Sequence, residues 1–223
     1  MKALFINGSP RKNWNTHKML DSAMKGASEA GAECELVHLY DMSFKGCMSC
    51  FACKLKNSKT NGVCAIRDAL RPVLEKALSS DVLVMGSPIY FSYPTGPARS
   101  FLERLMFPVL SYNVTEATAD GGKILDRTIQ TAMIYTMGLP EDMFPASNYE
   151  TILGENERFL KFLFGDTETL YVKNTYQFGD YSRYDVSSAI EPMKAKYRDE
   201  HFEQDLQAAY ELGKRRVAKA KGE

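Results

Sequence analysis

The sequence predicts an α/β chain built on a doubly wound, five-stranded parallel sheet of order 2-1-3-4-5, with helices on both faces. Three observations carry that expectation. Five short apolar runs alternate with segments of helical period along the chain, the pattern of repeated βαβ units with right-handed crossovers. The first run, Lys2 to Gly8, alternates too weakly for a strand with one wet face and suits one buried on both. The two most distinctive loops follow strands one and three, which in that order flank the switch point where ligands sit beyond the strand C-termini.

Taken in order, strand one breaks at Gly8-Ser9-Pro10, and a helix runs from about Thr16 to Ala30, with Met19, Leu20, Ala23, Met24 and Ala27 on one face. Asn15 or Thr16 is its expected N-cap. Glu33 to Leu39 alternates as strand two. Tyr40 to Arg67 is irregular and holds four of the five cysteines. Asp68 is expected to cap a helix over about 69–79, with Pro72 tolerated in its first turn. Asp81 to Gly86 is the most apolar strand. It opens into Ser87-Pro88-Ile89-Tyr90-Phe91-Ser92-Tyr93-Pro94, then a helix to about Met106. Phe107 to Asp126 is a connection long enough to need a functional or interface reason. Thr128 to Tyr135 is strand four, a helix follows near 148–164, and strand five covers about 169–173. Asn174 to Ile190 is irregular and aromatic, and a last helix spans about 191–218.

The length fits one domain over residues 1–223, with 174–223 as an appended part. Zero formal charge, from 28 basic and 28 acidic residues, gives no field to recruit nucleic acid or an anionic membrane. No apolar run approaches the ~20 residues that span a bilayer. An odd cysteine count and a first strand without a preceding apolar leader lead us to expect an unprocessed, cytoplasmic protein.

A strand, a polar loop and a helix N-terminus together aim free N–H groups and a positive dipole end at one point. Ser9, Asn13, Asn15 and Thr16 add hydrogen-bond donors, and Arg11 adds a charge. There is no G-x-G-x-x-G, no G-x-x-x-x-G-K-[ST] and no Cys-x5-Arg here, so the dinucleotide, triphosphate and phosphatase loops are excluded. A terminal phosphomonoester suits what remains; the alternative is an ordinary polar turn. Beside it, Tyr90, Phe91 and Tyr93 offer an aromatic wall for a flat ring. His17, His38 and His201 have no nucleophile or acid arranged around them, and no catalytic acid or base stands out.

The pieces Gly8-Ser9-Pro10-Arg11 with Asn15-Thr16, Gly86-Ser87-Pro88-Ile89-Tyr90-Phe91, and Thr95-Gly96 with Phe101-Leu102-Glu103-Arg104 resemble the NADPH-dependent FMN reductase and iron–sulfur flavoprotein group of the flavodoxin-like superfamily. The resemblance covers roughly residues 1 to 140. It implies that Ser9, Arg11, Asn13, Asn15 and Thr16 hold the FMN phosphate. Pro88, Ile89, Tyr90 and Phe91 then line the isoalloxazine, with Thr136, Met137 and Gly138 on its third side.

Cys47, Cys50, Cys53 and Cys64 read C-x2-C-x2-C-x10-C. The compact triplet resembles the ligand run of iron–sulfur proteins, and the iron–sulfur flavoproteins carry such a run beside their FMN. The last gap is longer than theirs, so flavin alone with inert or weakly redox-active thiols, a 4Fe-4S cluster, and a structural zinc stand as alternatives.

These readings converge on an FMN-dependent oxidoreductase that takes hydride from NAD(P)H and reduces a quinone, flavin or other small acceptor. The rivals are a non-enzymatic flavodoxin-type or iron–sulfur flavoprotein electron carrier and a flavin or thiol redox sensor. The aromatic load of 174–190 and the length of 107–126 further lead us to expect a homodimer or higher even oligomer, in which these segments cover a neighbour's flavin.

Overall fold

The computed structural model of the chain describes residues 1–113 and 122–223. In order, its elements are β1 (Lys2–Asn7), α1 (Asn15–Glu29), β2 (Glu33–His38), α2 (Arg71–Ser79), β3 (Val82–Tyr90), β4 (Tyr93–Pro94), α3 (Gly96–Val109), β5 (Leu110–Ser111), β6 (Gly122–Lys123), β7 (Gln130–Thr136), α4 (Tyr149–Phe164), β8 (Thr167–Val172) and α5 (Ile190–Lys221). The main sheet runs β2-β1-β3-β7-β8, all parallel, with β4 folded back on the end of β3. Numbered by the five main strands, this is the order 2-1-3-4-5 expected from the sequence, the flavodoxin-like one.

Strand alternation explains the two cores. Leu4 and Ile6 of β1, with Leu83 and Met85 of β3, point to the face covered by α2, α3 and α4. Ala3 and Phe5, with Val82 and Val84, point to the face covered by α1 and α5. Both faces are buried, which is why the strands read as nearly continuous apolar runs. On the second face the two helices touch backbone to backbone. A Cβ added to Gly26 would lie 2.0 Å from the carbonyl oxygen of Tyr210, and one added to Gly213 would lie 1.9 Å from that of Ala23.

Several boundaries differ from expectation for identifiable reasons. β3 extends to Tyr90 because Ser87 and Pro88 pair with Tyr135 and Thr136, and Ile89 and Tyr90 then pair with Pro94 and Tyr93. α2 begins at Arg71 and not at Ala69: the Asp68 carboxylate accepts from the Leu70 N–H at 3.2 Å, a turn that precedes the helix. α3 continues through Pro108 to Val109, the proline falling in the last turn. The 107–126 connection ends in the paired short strands β5 and β6, and residues 114–121 of it lie outside the described residues. Among the described residues, no helix is long and apolar enough to cross a membrane.

Candidate functional site

A cavity of about 260 Å³ opens at the C-terminal ends of β1, β3 and β7, the switch point of the sheet. Ser9, Arg11, Asn15 and Thr16 line one end. Pro88, Ile89 and Tyr90 form one side, and Thr136, Met137 and Gly138 another. Strand ends bring three distant loops together, and α1 points its N-terminus between them.

That N-terminus carries no side-chain cap. Its N-cap position is Trp14, and neither Asn15 nor Thr16 caps it as the sequence suggested. The Thr16 hydroxyl instead hydrogen-bonds the Thr136 hydroxyl at 2.7 Å, and the Asn15 amide donates to the Tyr176 carbonyl at 2.7 Å. The first turn of α1 therefore offers its backbone donors to the cavity, beside the buried residues Ser9, Asn15 and Thr16. The Ser9 hydroxyl accepts from the Arg11 N–H at 3.1 Å, and Thr95 donates to the Gly8 carbonyl at 2.6 Å, tying the loop to the start of α3. An uncapped helix N-terminus at one end of an elongated cleft, with apolar residues along its sides, fits a phosphorylated planar ligand of the FMN kind.

Three residues assigned to this site lie elsewhere. Asn13 is exposed and does not line the cavity. Phe91 is 98% exposed, and Tyr93 is also exposed. The cause is a two-residue reversal: Phe91 and Ser92 have φ of +48° and +72°, closing the β3–β4 hairpin in the left-handed region and turning the Phe91 ring to solvent. Of the three aromatic wall candidates, only Tyr90 faces the cavity.

The fourth side is one the motifs did not assign. Thr175, Tyr176, Gln177 and Phe178 line the cavity as a strap, together with Trp14. The Trp14 indole N–H donates to the Tyr176 carbonyl at 3.0 Å, and the Arg11 guanidinium donates to the Gln177 carbonyl while lying 5.5 Å from the Trp14 ring. Phe178 stacks on Tyr184 at 4.0 Å, and Tyr181 is buried. Tyr176 and Phe178 thus line the cavity of their own chain. The lone tryptophan in a polar loop was the available signal that something must pack there.

The cysteines form a separate place. Cys47, Cys50, Cys53 and Cys64 line one cavity of about 10 Å³ against Glu103, Arg104 and Phe107. Burial, and the neighbouring Cys64 and Cys50, push the Cys53 thiol above its ordinary value, against the pull of Lys54. Arg104 is fully buried. It pairs with Asp68 at 2.5 and 2.9 Å, donates to the Lys45 and Ile66 carbonyls, and donates from Nε to Cys64 Sγ at 3.4 Å. A cubane cluster needs four thiolates converging on one point. Among the described residues no three His, Cys, Asp or Glu side chains converge in metal-binding geometry, so the four sulfurs line one cavity without closing on a single point.

The family model for NADPH-dependent FMN reductase matches residues 1–134. An iron–sulfur flavoprotein of Archaeoglobus fulgidus is 32% identical over 160 residues, covering 67% of this chain and 74% of that protein. One of Methanocaldococcus jannaschii is 32% identical over 104 residues, covering 47% of this chain and 51% of that protein. Among solved structures, an NAD(P)H:quinone oxidoreductase from Methanothermobacter marburgensis superposes with a TM-score of 0.68 at 16% identity, over 96% of this chain and 98% of that one, a likeness of fold.

Proposed function

This chain belongs to the NADPH-dependent FMN reductase family, and on that premise we propose that it is an FMN-dependent oxidoreductase that takes hydride from NAD(P)H and reduces a quinone, flavin or other small acceptor. The observation that carries the reading is the cavity at the switch point, with an uncapped helix N-terminus at one end and the β3 and β7 loops along its sides. When bound, FMN supplies the hydride chemistry itself. The protein's part is to bind and orient.

The first turn of α1, with Ser9 and Thr16, would receive the phosphate. Pro88, Ile89 and Tyr90 would bear on one face of the ring, and Thr136, Met137 and Gly138 would border its edge. Arg11 and Asn15, whose donors engage the strap carbonyls, would hold Tyr176 and Gln177 over the bound cofactor. No acid or base is required of the chain.

We place the protein in the cytoplasm, on its unpaired cysteines. We further infer a homodimer or higher even oligomer, supported by the Tyr40, Tyr90, Phe91 and Tyr93 side chains exposed near the cavity mouth. The test is direct. The purified protein should be yellow, with flavin released as FMN, and should oxidise NADPH or NADH with turnover when a quinone or free flavin is added. A yellow protein that oxidises neither nucleotide would be an electron carrier instead.

A further inference from the structure

Beyond residue 134, where the family model ends, the chain supplies one wall of the cavity and anchors it with a buried cation. Lys194, on the first turns of α5, is 3% exposed. Its ammonium donates to the Gly138 carbonyl at 2.9 Å, the Asn174 side-chain oxygen at 3.0 Å and the Thr175 carbonyl at 3.2 Å. All three N–H donors are used, and all three acceptors are neutral. Among the described residues no carboxylate forms an ion pair with it. Burial pulls its pKa below that of an ordinary lysine.

A buried charge without a counter-charge is costly, and a methionine would fill the same helix position without that cost. Two of the acceptors belong to residues that line the cavity, Gly138 and Thr175. The ammonium therefore stands directly behind the cavity wall, where water is excluded and its field is weakly screened.

We propose that Lys194 is a positioning residue that locks the 137–138 and 174–175 segments together and, as an uncompensated cation behind the wall, makes the site prefer reduced over oxidised FMN. The proposal rests on the FMN reading above. Hydride delivery adds two electrons and one proton to a neutral ring, so the ring gains one negative charge unless a second proton follows. A fixed cation nearby stabilises that charge and does little for the neutral oxidised ring. By linkage, tighter binding of the reduced form is a raised midpoint potential.

The test compares wild type with Lys194→Met, Lys194→Arg and Asn174→Asp. The last places a carboxylate on the ammonium while keeping the wall's acceptor, so it neutralises the charge without removing the lock. The measurements are the dissociation constant of oxidised FMN and the midpoint potential of the bound flavin. Lys194→Met and Asn174→Asp should each lose about tenfold in preference for the reduced form, equivalent to about 30 mV for a two-electron couple. Lys194→Arg should stay near wild type. If Lys194→Met does not fold, Asn174→Asp decides the charge role alone. An unchanged potential in Asn174→Asp, or in a folded Lys194→Met that still binds oxidised FMN, overturns the proposal. A wild-type protein that binds FMN in neither state overturns the cofactor reading instead, a different result from either.

Discussion

Thr16 and Thr136 stand 120 residues apart in sequence, yet their hydroxyls share a hydrogen bond of 2.7 Å in the interior. The bond joins the first turn of α1 to the end of β7, and so ties one end of the cavity to one of its sides. One hydroxyl must donate to the other. When Thr136 donates, the Thr16 hydrogen is free for an anion at the helix N-terminus. A hydrogen bond to a charged group contributes about 1.5–3 kcal/mol, so Thr16→Ala should weaken FMN by roughly ten- to a hundredfold. Riboflavin, which lacks the phosphate, should lose much less, and Thr16→Ser should recover FMN binding. Equal losses for both ligands in a fluorescence titration would remove Thr16 from the phosphate site.

The α1–α5 contact makes a second prediction. Added methyl groups at Gly26 or Gly213 meet backbone oxygens at 2.0 and 1.9 Å, and backbone cannot rotate away as a side chain can. Ordinary overpacking costs about 1–3 kcal/mol, and Gly213→Ala should reach or exceed the top of that range. That is a fall in Tm of roughly 6 °C or more for a chain this size. Gly154, inside α4 with nothing within 4 Å of the added carbon, is the control. There alanine should be neutral or stabilise by up to about 1 kcal/mol. A Gly213→Ala protein that melts with wild type would mean the two helices are further apart.

The sheet order and the first and third loops were legible because the signals are local: apolar runs at 2–7, 82–86 and 130–136, broken by Gly-Ser-Pro and Ser-Pro segments. What was not legible depends on partners far away in sequence. Phe-Ser carries none of the Asn-Gly signal of a two-residue hairpin, so Phe91 read as a wall residue until β4 was seen to pair back on β3. The aromatics at 176 and 178 announced that they needed burial, but not that Trp14 and Arg11 of their own chain would receive them. Lys194 and Arg104 sit on helices among other charges, where nothing local marks a side chain for burial. Only tertiary packing turns them inward.

The pair of buried Arg104 with partly exposed Asp68 gives a pH-dependent prediction. The Arg104 guanidinium, by hydrogen bonding first and by charge as well, holds the Asp68 carboxyl below its ordinary value of 3.8 against the opposing effect of burial. A carboxyl depressed in the folded state contributes stability above its unfolded pKa and loses it as pH falls through the folded one. Asp68→Asn leaves a buried guanidinium unpaired and should cost about 3–5 kcal/mol at neutral pH. The gap from wild type should be flat between about pH 5 and 8 and close below about pH 4. Urea melts across that range measure it; a gap that widens in acid would reverse the assignment.

The last prediction concerns the cysteine cavity, whose shape Arg104 also controls. Ser49 and Phe51, both with φ near +50°, coil the run so that Cys47, Cys50 and Cys53 face the same space as Cys64. Such a loop might be thought to need a metal to hold it. Here protein bonds do so: Arg104 takes the Lys45 and Ile66 carbonyls at its two ends, Arg71 takes the Cys64 carbonyl at 3.1 Å, and Lys54 takes the carbonyls of Pro108 and Leu110. The cavity shares no lining residue with the cavity assigned to FMN. Protein purified without oxygen should therefore show flavin absorbance alone, with iron and zinc well below about one atom per chain. A Cys50→Ser, Cys53→Ser double variant should keep its FMN, because neither the loop's anchors nor the flavin wall depends on those sulfurs. Close to four irons and four sulfides per chain, with a broad visible absorbance that bleaches on reduction, would overturn this. The sulfurs would then have to converge further than they do here, and the chain would pass single electrons between a cluster and its flavin.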